Sequence, residues 1–164
     1  MNALANTPLR VPRFYSDIGA RVVPVQRGCR GPRMLDWPNT QMNAEEAEQL
    51  ANSDPDYDKV AWVLDDHHLV IDIDTHDADK NGYESLARLS EDLGVDLACL
   101  ADAVVDSPSG GKHLYFSKPA HTKTVKALSD YPGLDFLTAG RVSWPLAALT
   151  TESLGPIKSI RTQS

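Results

Sequence analysis

Apolar positions cluster into short runs that are typical of β-strands. Four such runs, rich in β-branched residues, predict strands at residues 21–26, 59–64, 69–74 and 113–116. Pro24 cannot donate a backbone hydrogen bond, so the first strand should lie at a sheet edge or end there. Because residues 65–68 are polar, the second and third strands should form a hairpin, with His67 and His68 exposed at its tip.

Helical spacing of apolar residues alternates with these strands. Asn43 is a good N-cap and acidic helix formers follow it, which predicts a helix over residues 44–53. Leucines spaced three and four apart predict another over residues 83–94, with one face on a sheet. Weaker patterns indicate a short helix ending at Gly19 and one starting at Thr124. Strands and helices in this mixture predict an α+β fold.

The strand at residues 69–74 carries two acids among apolar neighbours. Side chains alternate faces along a strand, so Asp72 and Asp74 should point the same way. Two adjacent carboxylates repel each other, and a hard divalent cation such as Mg²⁺ would relieve that repulsion. Two solvated acids at a strand end are the other interpretation of the same residues.

Composition indicates a soluble globular chain with an uneven charge distribution. Of its 164 residues, 41% are apolar and the net charge is −7. Residues 1–33 carry +5, residues 34–111 carry −16, and residues 112–164 carry +4. The basic ends could contact phosphates, although a solvated surface produces the same pattern. The basic residues that could do so include Arg27, Arg30, Arg33, Lys123, Lys126 and Arg141.

Other sequence features indicate a cytoplasmic protein with no membrane contact. No apolar run approaches bilayer length, and residues 1–13 lack a signal core. Cys29 and Cys99 form no CxxC pair, which disfavours a zinc site and a disulfide framework. Trp37 follows an arginine-rich loop and could stack on a base, but packing on the core is the expected role.

A glycine turn precedes the strand at residues 113–116. Ser109, Gly110 and Gly111 allow backbone N–H groups to approach an anion closely, and Lys112 and His113 add donors for phosphate oxygens. The Walker pattern is absent. Taken alone, the segment could equally be a tight turn followed by a basic residue.

Asp135 completes a pattern that is more specific than any of its parts. It lies among apolar residues in Tyr131-Pro-Gly-Leu-Asp-Phe136, where an acid is metal-bound, paired or at a strand end. Together with residues 70–74 and 109–116, this segment resembles the bifunctional DNA primase/polymerase (prim-pol) domain of the archaeo-eukaryotic primase superfamily. The resemblance extends over about residues 15–141.

The resemblance implies a primase fold with an RRM-like mixed or antiparallel catalytic sheet flanked by helices. It implies that Asp72, Asp74 and Asp135 bind Mg²⁺ or Mn²⁺, and that His113 contacts the nucleotide phosphates. The remaining nucleotide-binding positions would be Ser109, Gly110, Gly111, Lys112 and Arg141. The expected activity is synthesis and extension of primers on single-stranded DNA from nucleoside triphosphates. A replicative helicase on another chain is an expected partner.

After Arg141 the pattern departs from this resemblance. Pro145 stands where a closing strand is expected, and a proline removes a ladder hydrogen bond. We therefore expect a prim-pol domain over residues 1–145 and a weakly structured tail over residues 146–164.

Two other functions remain open on the sequence. One is a catalytically weak or inactive relative that binds nucleotides, nucleic acid or a replisome. The other is a Mg²⁺-dependent nuclease or glycosyltransferase that uses the same Asp-x-Asp, although the 109–113 segment would then have no role.

Overall fold

The fold is described from a computed structural model that covers residues 8–75, 80–107, 110–139 and 142–146, without the side chains of Phe14 and residues 142–146. These residues form two compact units. Unit 1 comprises residues 8–63 and 142–146, and unit 2 comprises residues 64–139, within the described ranges.

Helices and strands alternate along the chain, as the apolar pattern predicts. The helices are α1 (Arg13–Asp17), α2 (Ala44–Ser53), α3 (Gly82–Leu93) and α4 (Leu97–Leu100), with a 3₁₀ turn at Trp37–Asn39. The strands are β1 (Arg21–Gln26), β2 (Tyr57–Val63), β3 (His68–Ile73), β4 (Ala103–Asp106), β5 (Lys112–Ser117), β6 (Leu134–Leu137) and β7 (Val142–Leu146). Every strand pairing that the structure describes is antiparallel, so the α+β fold with antiparallel sheets is confirmed.

Unit 1 is a sheet of order β1-β2-β7 on which α2 packs against β1 and β2. Pro24 lies in β1 opposite Val60, and β1 is an edge strand, as its missing amide hydrogen requires. One face of the sheet buries four side chains against Cys29, Met34 and Trp37: Val23, Val25, Ala61 and Val63. Trp37 therefore packs on this core, as expected.

The segment that contains Pro145 forms a strand despite the proline. β7 pairs with β2 through Val142 opposite Val63 and Leu146 opposite Val60, with an irregular register between them. A proline is tolerated in an edge strand or at a bulge because no ladder hydrogen bond depends on it there. Residues 147–164 lie outside the described part, so the weakly structured tail and the boundary at residue 145 stay predictions.

Unit 2 is a four-stranded sheet of order β4-β5-β3-β6, and α3 packs against β3 and β6. The side chains that meet on this face form the core: Ile71, Ile73, Leu86, Leu89, Leu114 and Leu134. Ile71 and Ile73 are two residues apart, so the residue between them, Asp72, points to the other face. The helix therefore covers one face of β3 and leaves the acids of the strand on the opposite face.

Local capping explains where α2 and α3 begin and end. Asn43 accepts a hydrogen bond from the amide of Glu46, and the Glu46 side chain accepts one from the amide of Asn43. At the start of α3, the Asn81 side chain accepts from the amides of Tyr83 and Glu84, and Gly94 ends the helix with φ of 68°.

Two local predictions are wrong. β2 and β3 are not partners in a hairpin, because β2 pairs with β1 and β7 whereas β3 pairs with β5 and β6. His68 is consequently half-buried at the start of β3, with Nδ1 2.7 Å from Oδ1 of Asp65. No helix starts at Thr124; instead, Ala127 forms a bridge with Asp135.

No helix in the described residues has the length and apolar character that a membrane span requires.

Candidate active site

Asp72 stands at the centre of a row of side chains that crosses the sheet of unit 2. In the strand register Asp72 lies opposite His113 of β5 on one side and opposite Asp135 of β6 on the other. Directly opposed residues of antiparallel strands project to the same face. The fold therefore brings together three candidate residues that are up to 63 positions apart in sequence.

The contact between His113 and Asp72 is direct. Nε2 of His113 lies 3.2 Å from Oδ1 of Asp72. The His113 side chain is 4% exposed, whereas that of Asp72 is 36% exposed. An imidazole N–H at Nε2 would donate to the carboxylate and hold it in orientation. In this structure His113 is therefore bound to Asp72, and solvent reaches the carboxylate more easily than the imidazole.

Asp135 is an exposed acid held between two backbone segments. It pairs with Asp72 on one side and forms a bridge with Ala127 on the other. The next amide along, that of Phe136, donates to the carbonyl of Lys126 at 2.8 Å. The backbone of Asp135 is thus fixed on both sides, while its carboxylate stays accessible.

Asp74 lies one residue beyond the end of β3, and its backbone is held at both polar atoms. Its amide donates to the Gly133 carbonyl at 2.8 Å, and its carbonyl accepts from the Gly82 amide at 3.1 Å. Asp74 is exposed and two positions from Asp72, so an extended backbone places it on the same side of the sheet.

The chemistry of these donors fits a divalent cation. Carboxylates directly opposite each other, as Asp72 and Asp135 are, destabilise a sheet, and a bound Mg²⁺ or Mn²⁺ would remove that cost. Oxygen ligands are also the donors these ions prefer. In the described parts of the chain, however, no three His, Cys, Asp or Glu side chains are grouped closely enough to hold a metal. The three-acid metal site therefore stays a prediction.

The glycine turn before β5 is closed on itself. Gly110 donates to the Ser107 carbonyl at 3.0 Å, and Gly111 donates to the Ser107 hydroxyl at 3.1 Å. A Cβ on Gly111 would collide with the backbone carbonyl of Ile73. Both glycine amides are hydrogen-bonded within the turn, and the second glycine serves close packing on β3. Binding of a nucleotide phosphate by this turn stays a prediction.

Lys112 lies on the other face of the sheet from His113. It is opposite Ile73 in β3 and Asp106 in β4, and its ammonium pairs with the Asp106 carboxylate. That hydrogen bond with Asp106 raises the pKa of Lys112 above its ordinary value, against partial burial. The fold therefore separates two neighbouring residues that the resemblance assigns to one nucleotide pocket.

The remaining predicted residues fall into two groups. Ser109 and Arg141 lie outside the described residues. Five of the predicted phosphate-binding cations are described and exposed, and they are in different units: Arg27, Arg30 and Arg33 in unit 1, and Lys123 and Lys126 in unit 2. Of these, Arg27 pairs with Asp58 at 3.9 Å and donates to the Pro55 carbonyl at 3.3 Å.

Two glycines that sequence reasoning passed over shape the surroundings of Asp74. A Cβ on Gly82 would lie 2.6 Å from the Asp74 carbonyl oxygen and 2.7 Å from that of Gly133. Gly133 has φ of 82°, and a Cβ there would lie 2.8 Å from the Gly82 amide nitrogen. The available signal was Pro132-Gly133 directly before an acid-bearing strand, which is typical of a turn with positive φ.

The fold and this row of residues define an α+β domain with acids on one face of an antiparallel sheet and a helix packed on the other. The chain matches the family described as bifunctional DNA primase/polymerase, N-terminal, over residues 12–153, and it belongs to that family. The family is one of primase/polymerase-type nucleotidyltransferases that act on DNA and nucleotides and generally use divalent metals. The match continues past Arg141, so the expectation that the resemblance ends there is wrong. A comparison with curated proteins finds no match.

Proposed function

We propose that this protein is a template-dependent nucleotidyltransferase that makes and extends primers on single-stranded DNA by two-metal phosphoryl transfer. The observation that carries the proposal is the register of Asp72 between His113 and Asp135 on the face of the sheet opposite to α3. It is supported by membership of the primase/polymerase family over most of the chain.

The acids have a defined task in this reaction. Asp72, Asp74 and Asp135 would hold Mg²⁺ or Mn²⁺. Two bound cations supply charge neutralisation for the attacking and leaving oxygens of an in-line displacement. The chain itself contributes placement: β3 carries Asp72, Asp74 directly follows the end of that strand, and β6 carries Asp135 at a fixed register. Such positioning is most of what phosphoryl transfer requires from a protein.

His113 would act through Asp72 as well as on the nucleotide. Its Nε2, 3.2 Å from Asp72, orients that carboxylate towards the reacting groups. The resemblance assigns His113 a contact with the nucleotide phosphates. Because its side chain is buried in this structure, that contact would require a small rearrangement. Gly110 and Gly111 would shape the surface beside His113, and Ser109 and Arg141 remain proposed nucleotide contacts. The resemblance assigns such a contact to Lys112 as well, but its position on the other face of the sheet disfavours it.

The substrates follow from the same proposal. Single-stranded DNA would be the template and nucleoside triphosphates the monomers, with the exposed arginines and lysines binding backbone phosphates. We further propose that the protein works with a replicative helicase on another chain and that it is located in the cytoplasm.

The alternative, a relative that binds nucleotides without joining them, was suggested by Pro145 in the expected closing strand. That segment forms β7 and pairs with β2, so the proline no longer argues for an incomplete sheet. The alternative is retained as an outcome of the experiment below.

The experiment is incubation of the protein with single-stranded DNA, labelled nucleotides and Mg²⁺ or Mn²⁺, followed by electrophoresis of the products. Short primers are expected from the unaltered protein. Asp72→Asn should abolish them and should leave the circular dichroism spectrum unchanged. Asp17→Asn, which removes an exposed acid in unit 1, is the matched control and should keep activity. Metal-dependent nucleotide binding without any product would favour the alternative.

A further inference from the structure

One stripe of α3 holds the turn that precedes β6. Gly82, Ser85, Arg88 and Asp92 follow each other at intervals of three or four residues, so they share one face of the helix. Each of these residues contacts the segment of residues 130–133.

The innermost of these contacts is made by Ser85. Its hydroxyl donates to the Pro132 carbonyl at 2.6 Å. Ser85 is 3% exposed and is one of two buried polar residues among those described, the other being His113. A hydroxyl buried at this depth is costly unless it is hydrogen-bonded, so the hydrogen bond to the Pro132 carbonyl matters.

Two outer contacts continue the stripe towards the end of α3. Arg88 donates to the Asp130 carbonyl, and its guanidinium lies 5.3 Å from the centre of the Tyr131 ring. The Tyr131 hydroxyl donates to Oδ2 of Asp92 at 2.6 Å, and this hydrogen bond raises the pKa of Tyr131. The turn is thus attached to the helix along its length.

The held turn is connected to two of the acids of the candidate active site. The carbonyl of Gly133, the residue after Pro132, accepts a hydrogen bond from the amide of Asp74 at 2.8 Å. Two residues further on, β6 carries Asp135 opposite Asp72. Gly82, at the start of the same helical stripe, donates to the carbonyl of Asp74 at 3.1 Å.

We propose that Ser85 is a positioning residue that sets the backbone of Asp74 and Asp135 by holding the Pro132 carbonyl. Its effect on catalysis rests on the proposed function, whereas its effect on the backbone does not. Removal of the buried Ser85 hydroxyl leaves the Pro132 carbonyl without this donor, and the turn at residues 130–133 then opens more often. Both acids would lose their fixed separation from Asp72, which metal binding requires.

The first measurement is amide hydrogen exchange on Ser85→Ala in the full chain. The amide of Asp74 should exchange roughly tenfold faster than in the unaltered protein, as expected for the loss of one buried hydrogen bond. The amide of Ile71, in the middle of β3, should change little. Ser90→Ala is the matched control: it removes another α3 hydroxyl, which accepts from the Leu97 amide at 3.3 Å and holds α4 instead.

A second variant covers the case in which Ser85→Ala fails to fold. Tyr131→Phe removes only the hydroxyl that contacts Asp92, and it should accelerate exchange at Asp74 in the same direction by a smaller factor. Equal acceleration at Asp74 and Ile71 would mean that these side chains only contribute to overall stability, and would overturn the proposal. So would an Asp74 amide that is unaffected by both variants.

The catalytic consequence has its own readout, namely the Mn²⁺ concentration that gives half-maximal primer synthesis. Ser85→Ala should raise it several-fold, with much of the rate restored at saturating Mn²⁺, and Ser90→Ala should leave it unchanged. If the unaltered protein makes no primers, the proposed function fails, but the exchange measurement still decides the role of Ser85. If primers form and neither readout responds to Ser85→Ala, the positioning role is wrong and the proposed function stands.

Discussion

Asp72 and Asp135 occupy directly opposed positions on β3 and β6, so two carboxylates face each other across one strand pair. Nothing else about β6 requires an acid there, because its neighbours Leu134 and Phe136 already supply the apolar contacts with the core. The pair therefore destabilises the sheet locally, and a cation shared by the two acids would offset that destabilisation.

The first prediction concerns this pair. Without divalent cations, Asp135→Asn should stabilise the protein by about 0.2–1 kcal/mol, because it removes a like-charge repulsion between opposed residues. Urea denaturation in the presence of a chelator measures the change. Addition of Mn²⁺ should then stabilise the unaltered protein more than the variant, since only the native site with both acids binds it well.

Glu91→Gln on α3 is the control for that experiment, because it removes an exposed acid elsewhere in unit 2. Its response to Mn²⁺ should match that of the unaltered protein. An identical response from Asp135→Asn would show that Asp135 takes no part in cation binding.

The second prediction separates two glycines. Gly111→Ala should destabilise the protein by roughly 1–3 kcal/mol, because the new Cβ would collide with the Ile73 carbonyl, which is backbone and cannot move aside cheaply. Gly31→Ala, with open space around it and no positive φ, should be neutral or stabilising by up to about 1 kcal/mol. Thermal unfolding of the two variants is the measurement. A Gly111→Ala protein as stable as Gly31→Ala would disprove the close contact with β3.

The third prediction concerns acid pH. The backbone amide of His121 donates to Asp66 at 2.6 Å, and Lys118 lies 3.1 Å from the same carboxylate, so the pKa of Asp66 is lowered. Its carboxylate therefore contributes stability above the ordinary aspartate pKa of about 3.9, and that contribution is lost as the pH falls through the lowered value.

Asp66→Asn should accordingly destabilise the protein at pH 7, and this cost should shrink as the pH falls below about 3.9 towards pH 3, as followed by urea denaturation. The effect at pH 7 should be clear because the Lys118 side chain is 8% exposed and would be left partly unpaired. Asp17→Asn breaks only an exposed pair with Arg13, worth about 0.3–0.5 kcal/mol, and serves as the control. A cost that stays the same at both pH values would mean that the Asp66 charge is irrelevant.

The fourth prediction tests the two faces of β5. His113→Asn should lower kcat/KM for the nucleotide by roughly tenfold or more, because His113 contacts Asp72 on the acid-bearing face. Lys112→Met should change it much less, because Lys112 projects to the other face and pairs with Asp106. Steady-state primer extension at varied nucleotide concentration is the measurement. A larger effect from Lys112 would mean that the resemblance describes its role better than the present conformation does.

Local features were readable from the sequence because each depends on neighbouring residues. The capping box at Asn43 and the C-terminal Gly94 mark helix ends through hydrogen bonds within a few positions. The hairpin between β2 and β3 was wrong because the polar turn at residues 65–68 indicates only that the chain turns. The partner strands of β2 and β3 come from segments far away in the sequence, and a local turn does not indicate which ones.

By itself, the sequence determined the candidate residues of the site: three acids, a histidine and a glycine turn, each in a recognisable local setting. Only the tertiary structure decided which of them meet. The register of β3 with β5 and β6 places His113 and Asp135 beside Asp72 and puts Lys112 on the opposite face. The packing of α3 also brings Gly82, Ser85 and Gly133 together, where they hold the backbone around Asp74. The physical reason is that strand register and helix packing result from contacts between residues far apart in the chain, which local sequence patterns do not record.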